Sequence, residues 1–511
     1  MVILYSSGMP RHIPSIMATQ HPDNAAAPRW QEHSPFIDTQ AEVQECMHAY
    51  EDLNVDECMW DWEGKYADES IIDKLFSQHE RFFRKRVLGR DIFLTFRIPN
   101  VQKERGYSLA RALMVVLTSE DYAQDLSYPK RPLFELILPM TERAEQLMYV
   151  QKAFREIAHV KTKVLNHRSQ KNNEYVELIP LVEGTDDQYQ IGTLLEAYTR
   201  LHQEAFGKKP AYIRPFLARS DPALMSGHIA CVLANKAALS ACATFTKKYK
   251  IPTYPIIGAG SVIFRGGLSP RRVKQFIKEY AGVRTVTVQS AFRYDYPAAE
   301  VTRAIHTLKK ELPVSKSKIL TKEDLVAIGK LMKHASKQYE STLRALEPQL
   351  RPYFAAVPKR RERRQHIGLL GYNRGTQGLN LPRAITFAGA CYSLGIPAEF
   401  FGTGAFLASL SSEELRILKK HYIHLISDLE QAAEYLNWEN LNDLATKHTA
   451  WRKVRDDIRR VEQILSITCA PKTKEGQLHA SITRQGFLSK NDPAALSACI
   501  ASSGVVRRAI G

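Results

Sequence analysis

The sequence predicts an α/β protein: a (βα)8 barrel of TIM type with extensive α-helical insertions and an α-helical C-terminal region. Three observations carry this expectation. Short runs rich in β-branched and aromatic residues alternate with longer helical stretches. They recur at intervals of roughly 30 to 45 residues, and most are continuously apolar, as strands of a parallel sheet covered on both faces must be. The runs are 56–62, 91–98, 133–140, 176–183, 212–220, 254–260, 285–290 and 366–371, and eight is the number that closes a parallel barrel.

The intervening helices announce their starts. Asp221-Pro222 places a capping carboxylate before a proline at the first helical position, ahead of an Ala-rich helix running to about Lys248. Ser269-Pro270 repeats the device before a helix over 271–280. Thr321-Lys-Glu-Asp324 has the character of a capping box and opens a long Lys-rich helix. Beyond about Arg383 the chain reads as helix throughout, with amphipathic stretches at 413–435 and 451–465. The expected organisation is an N-terminal active-site segment over 1–40, a barrel over 41–382 and helices over 383–511 packed on it, all in one structural unit.

Composition narrows the function classes. With 44% hydrophobic and 24% charged residues, the 511-residue chain has the make-up of a soluble globular protein. No uninterrupted run of about 18 apolar residues suggests a membrane span, and Met1 to Gly8 is too short and lacks the basic start of a signal peptide. A cytoplasmic enzyme is expected. The seven cysteines form no C-x-x-C pair and sit among apolar neighbours, the pattern of reduced core thiols rather than of disulfides or a zinc site. The formal charge of +17 suits a small polyanionic substrate, a nucleic acid or simply a solvated basic surface. Lys359-Arg360-Arg361-Glu362-Arg363-Arg364 is the densest cluster, and without interleaved aromatics it does not read as a nucleic-acid patch.

Chemistry concentrates where a parallel barrel places it, at the carboxyl ends of the runs. Thr19-Gln20-His21-Pro22-Asp23-Asn24 holds a histidine on a proline-stiffened loop, suited to moving a proton or polarising an anion. The second run ends in Arg97, the fourth in Glu183, the fifth in Arg219-Ser220-Asp221 and the seventh in Gln289-Ser-Ala-Phe-Arg293. The sixth leads into Gly258-Ala-Gly260 and then Arg265-Gly266-Gly267, a loop that lets backbone approach an anion. Each has a plainer reading: Glu183 and Asp221 as helix caps, Arg97 as an ion-pair partner, the glycine loop as a turn, and Asp61-Trp-Glu63-Gly-Lys65 as a buried polar network. Together, two carboxylates beside several arginines make a cradle for Mg²⁺ or Mn²⁺ and a phosphorylated carboxylate.

These residues resemble phosphoenolpyruvate carboxylase, in particular its short archaeal type. Ile13-Pro-Ser-Ile-Met-Ala-Thr-Gln-His-Pro-Asp-Asn24 is similar to that type's N-terminal signature, and Glu45-Cys-Met-His-Ala-Tyr with Asp61-Trp-Glu-Gly-Lys65 to its next block. The resemblance covers essentially the whole chain. It implies His21 as the catalytic histidine, Glu183 and Asp221 as ligands of Mg²⁺ or Mn²⁺, and Arg97 and Arg265 as phosphoryl-binding catalytic residues. Gly266, Gly267 and Gln289 fall on substrate-binding positions of the long bacterial and plant form. This chain departs from that form at Leu224, where a lysine is expected, at Ala259, where an arginine is expected, and near Gly395, where a phosphate-binding arginine is expected. Arg219, Arg293, Arg374 and Arg383 are the candidates to supply the missing phosphate contacts. The long form's inhibitor-binding asparagine near the terminus has no counterpart in Arg508-Ala-Ile-Gly511. The implied partners are phosphoenolpyruvate and bicarbonate, with no nucleic acid and no membrane, in a homotetramer. Another barrel lyase or mutase acting on phosphoenolpyruvate or pyruvate is the alternative.

Overall fold

Strand pairing is parallel throughout and follows sequence order. In the computed structural model, which describes residues 12–31, 33–63, 67–100, 102–103, 106–165, 174–362 and 379–511, eight strands close into a barrel. They are β1 (Ile16–Ala18), β2 (Glu57–Asp61), β3 (Phe93–Arg97), β4 (Glu135–Leu138), β5 (Glu177–Val182), β6 (Phe216–Ala218), β7 (Ile256–Gly258) and β8 (Thr285–Val288). The ring closes where Ile16, Met17 and Ala18 pair with Val286, Thr287 and Val288. Seven strands fall inside the runs read from sequence. The eighth run, 366–371, lies outside the described residues, and the eighth place in the ring belongs to β1. Three residues are too few for a pattern to show, so this strand was hidden in the N-terminal signature, and the barrel begins well before residue 41.

Side chains alternate between the barrel interior and the helical shell, with period two. Ile16, Cys58, Leu94, Leu136, Leu178, Leu217, Ile257 and Val286 pack outward against the helices. Their neighbours Met17, Met59, Ile137, Ile179, Phe216 and Ile256 meet inside. Below that apolar layer, toward the amino ends of the strands, Arg214 donates to Glu57 at 2.7 and 2.9 Å and to Glu135 at 2.6 Å, all three buried. The same inward phase, carried to the carboxyl ends, reaches Asp61, Arg97, Glu183, Gly258 and Gln289. Strand periodicity therefore decides which residues the mouth of the barrel receives.

The helices differ from expectation in two informative places. The Ala-rich segment is two helices, Ser220–Ser226 and His228–Tyr249, broken at Gly227 with φ +81°. Asp221 sits inside the first turn rather than capping it, because the helix already begins at Ser220 with Arg219 as N-cap. The Ser269-Pro270 device is likewise not a cap: that helix runs Val273–Glu279 from an N-cap at Arg272. Thr321 does cap, its hydroxyl accepting from the Asp324 N–H at 3.1 Å, and the helix Lys322–Ala356 continues through Pro348 and Pro352.

The C-terminal helices share a second apolar core with Leu224, Ile229, Val262 and Phe264, so they dock on the β6–β7 side of the barrel. The 413–435 stretch is two helices, Ser412–His421 and Leu425–Ala433, and 451–465 lies within Thr449–Leu465. Helix His228–Tyr249 is long and apolar enough by composition to cross a membrane, but 72% of its apolar window is buried inside the fold, the environment of a core helix. All seven cysteines are free thiols, six of them buried.

Candidate active site

A cavity of about 640 Å³ opens at the carboxyl ends of the strands and is lined by His21, Arg97, Glu183, Arg219, Asp221, Arg265, Gln289 and Arg383. A wider surface depression of about 770 Å³, lined by Arg271, Lys274, Lys278 and Arg303, lies on the outer helices. Only the first is reached by the inward-facing strand ends.

The loop after β1 carries His21, half-buried, with Nδ1 at 2.8 Å from the Thr19 hydroxyl. Two residues on, Asp23 is fully buried and serves as an anchor. Its Oδ1 accepts from the Ala291 N–H at 2.8 Å and its Oδ2 from Arg265 Nη1 at 3.1 Å. Burial pushes the Asp23 carboxyl up, against the pull of Arg265, and pushes the Arg265 guanidinium down, against the pull of Asp23. Asp295 accepts from the N–H groups of Ala25 and Ala26 at 2.7 Å each, fastening the far side of the loop.

Arg265 is held from four directions. Besides Asp23, Nη2 donates to Gln289 Oε1 at 2.5 Å, Nε to the Ser220 hydroxyl at 3.2 Å, and Nη1 to the carbonyl of Gly511. The glycines around it are geometric requirements. Gly266 and Gly267 have φ of +121° and +68°, and a Cβ on Gly260 would stand 2.6 Å from the Arg265 guanidinium carbon. The N–H groups of Gly266 and Gly267 are spent inside the turn, on Ile263 and Val262. Together they shape the turn that carries Arg265.

Arg97 is equally fixed. It grips Asp61 with two parallel bonds of 2.9 and 2.7 Å and lies 2.9 Å from Glu63, so Asp61 and Glu63 do form the buried network that the sequence suggested. Glu183, 6% exposed, and Asp221, half-buried, enter the same cavity from β5 and from the helix after β6. Among the described residues no group of three or more His, Cys, Asp or Glu gathers around a metal position. Two carboxylates are a donor set that fits a hard dication completed by substrate and water.

The remaining arginines divide. Arg383 lines the cavity as N-cap of helix Ala384–Leu394, whose first residues also face it. Arg219 borders the cavity, but its donors go to the Tyr280 hydroxyl at 3.0 Å and to the carbonyls of Phe264 and His228. Arg293 is outside the cavity lining: its guanidinium holds the Thr19 carbonyl at 2.7 Å and Glu45 at 2.9 Å. It orders the His21 loop from behind. Arg374 lies outside the described residues. The basic cluster is not a solvated patch at its start. Residues 357–362 line the mouth, with Arg361 buried against Glu42 and Glu45, and Arg360 donating to the Asn24 carbonyl at 3.2 Å. Sequence reasoning missed Asp23 and this segment. Asp23 stood in the quoted motif, but nothing local marked it as the partner of Arg265, 242 residues away.

A closed parallel barrel with a polar cavity at the strand carboxyl ends is the architecture of a barrel enzyme. Residues 13–511 match the family model described as phosphoenolpyruvate carboxylase. A protein of that name from Leuconostoc mesenteroides is 44% identical over 503 residues, covering 98% of this chain and 99% of the relative. Its namesake from Oenococcus oeni is 41% identical (98% and 99% covered), and that from the archaeon Metallosphaera sedula 35% identical (94% and 95% covered). The chain belongs to the phosphoenolpyruvate carboxylase family, a family of carboxy-lyases.

Proposed function

We propose that this chain joins phosphoenolpyruvate to bicarbonate and releases oxaloacetate and inorganic phosphate, as a cytoplasmic homotetramer. The observation that carries the reading is the convergence of His21, Arg97, Glu183, Asp221, Arg265 and Gln289 on one cavity. Glu183 and Asp221 would hold Mg²⁺ or Mn²⁺, which when bound supplies Lewis-acid stabilisation of the developing enolate charge. Arg265, aimed by Asp23 and Gln289, and Arg97, aimed by Asp61 and Glu63, bind the phosphoryl oxygens with planar donors suited to a spread charge. Gln289 and Arg383 complete the anion environment.

A bicarbonate oxygen attacks phosphorus, the bond from phosphorus to the enol oxygen breaks, and carboxyphosphate and the enolate of pyruvate result. His21 accepts the carboxyl proton of carboxyphosphate as it splits into carbon dioxide and phosphate. The enolate carbon then attacks carbon dioxide. Water must be kept out at this stage, or protonation of the enolate yields pyruvate. Leu181, Phe216 and residues 357–362 give the cavity its apolar floor and its cover.

The test is a coupled assay: purified protein, phosphoenolpyruvate, Mg²⁺, malate dehydrogenase and NADH, with and without bicarbonate. Bicarbonate-dependent NADH oxidation is expected. Consumption of phosphoenolpyruvate without bicarbonate dependence would transfer the chain to the barrel lyases or mutases.

A further inference from the structure

Thr19 stands just past β1 and is 1% exposed, and among the described residues its hydroxyl has one hydrogen-bond partner, the His21 ring. Its backbone is fixed independently from two other sides. The Thr19 N–H donates to the Val288 carbonyl at 3.2 Å, and the Thr19 carbonyl accepts from Arg293 Nη2 at 2.7 Å. A valine would keep the branched shape in this buried place and bring no hydroxyl to satisfy. Strand pairing and packing therefore leave the oxygen unexplained, and the imidazole explains it.

The rest of the loop holds the His21 backbone and not its ring. The His21 carbonyl accepts from the N–H groups of Asp23 at 3.1 Å and Ser290 at 3.3 Å. Gln20 Oε1 accepts from the Asp61 N–H at 3.0 Å, which ties the loop to the carboxylate that grips Arg97. None of these bonds limits the two side-chain torsions of His21. The 2.8 Å contact between Nδ1 and Thr19 Oγ1 does.

We infer that Thr19 is a positioning residue for His21: its hydroxyl accepts from Nδ1–H and so selects the tautomer whose Nε2 takes a proton from a molecule in the cavity. The inference rests on His21 being the base of the carboxyphosphate step. There Nε2 takes the carboxyl proton, and the bond from carbon to the bridging oxygen breaks. Its electron pair passes to the phosphate, carbon dioxide is set free, and Nε2 returns the proton to the phosphate. A hydroxyl suits a base that must both take and return a proton. It accepts from Nδ1–H in the neutral and in the protonated ring, and it adds no negative charge that would hold the proton on the imidazole.

Thr19→Val and Thr19→Ser in the full chain test the inference. Oxaloacetate is followed with malate dehydrogenase, pyruvate with lactate dehydrogenase, and phosphate release in parallel. Thr19→Val should release phosphate near the wild-type rate and raise the ratio of pyruvate to oxaloacetate on the order of three- to tenfold, the weight of one neutral hydrogen bond. Thr19→Ser, which keeps the hydroxyl, should return the ratio to that of wild type. Nitrogen NMR of the ring, assigned by its loss in His21→Asn, should show Nδ1 as the protonated nitrogen in wild type and Thr19→Ser, and a mixture of tautomers in Thr19→Val. A wild-type product ratio in Thr19→Val, phosphate and oxaloacetate falling in the same proportion, or Nε2 as the protonated nitrogen in wild type would overturn the positioning role. Oxaloacetate at the normal rate in His21→Asn would overturn the assignment of His21 instead. If Thr19→Val does not fold, Thr19→Ala removes the same hydroxyl with less bulk and carries the same expectations.

Discussion

Glu45 joins four parts of the active-site wall, and its replacement by Gln gives a quantitative test of how that wall is held. Its Oε1 accepts from Arg293 at 2.9 Å and from Tyr294 at 3.1 Å, and its Oε2 from Arg361 at 2.5 Å. Through Arg293 it supports the Thr19 carbonyl on the His21 loop, and through Arg361 the segment lining the cavity mouth. Burial raises the Glu45 carboxyl, but Arg361 and Arg293 outweigh it and bring the pKa from 4.5 to about 2. Folding therefore favours the ionised form. The stabilisation is fully present above about pH 4.5 and is lost as pH falls toward 2. Converted at the free-energy equivalent of one pH unit, the difference is worth about 3 kcal/mol at pH 7 and about 1 kcal/mol at pH 3. An independent guide agrees, since breaking a buried ion pair from one side costs about 3–5 kcal/mol. Chemical denaturation of wild type and Glu45→Gln at pH 7 and pH 3 should show a gap that shrinks by more than half. A gap below about 1 kcal/mol at pH 7, or one that does not narrow in acid, would refute the reasoning.

Other expectations follow from the cavity itself. His21→Asn should spare phosphoryl transfer more than carbon–carbon bond formation, so pyruvate and phosphate should accumulate without oxaloacetate; oxaloacetate at the normal rate would remove His21 from its role. Asp221→Asn deletes one of two charged oxygen donors and should raise the Mg²⁺ concentration for half-maximal rate by about tenfold or more, read from a metal titration. In Gly266→Ala, the new Cβ would stand 2.8 Å from Ala259 Cβ and 2.9 Å from Arg219 Cγ at a φ of +121°. Strain and overpacking together should cost about 2–4 kcal/mol, seen as a lower thermal midpoint and a reduced kcat/KM.

Periodicity and composition made most of the barrel legible. Each run of the β2–β8 series is a local pattern six to nine residues long, and solvent exclusion on both faces leaves an apolar signature that needs no knowledge of partners. The same locality failed for β1. Three residues carry no period, and only the edges of β2 and β8 make them a strand. Caps behaved similarly: Thr321 could be read because its partner is three residues away, whereas the role of Asp221 depended on where the preceding strand released the chain.

For the site, residue types at strand ends and the resemblance in motif order were enough to name the family and to choose His21, Arg97, Glu183, Asp221, Arg265 and Gln289 in advance, and all six line one cavity. The sequence by itself determined the strand rhythm, the inward phase that delivers side chains to the mouth, and the chemistry those side chains offer. Only the tertiary structure decided which arginines face the cavity and which are consumed as supports. Arg97, Arg219, Arg265 and Arg293 look alike in a sequence; what separates them is the carboxylates and carbonyls brought from distant segments. A guanidinium's direction is set by the acceptors it meets in space, and those are assigned when the barrel closes and the helices dock.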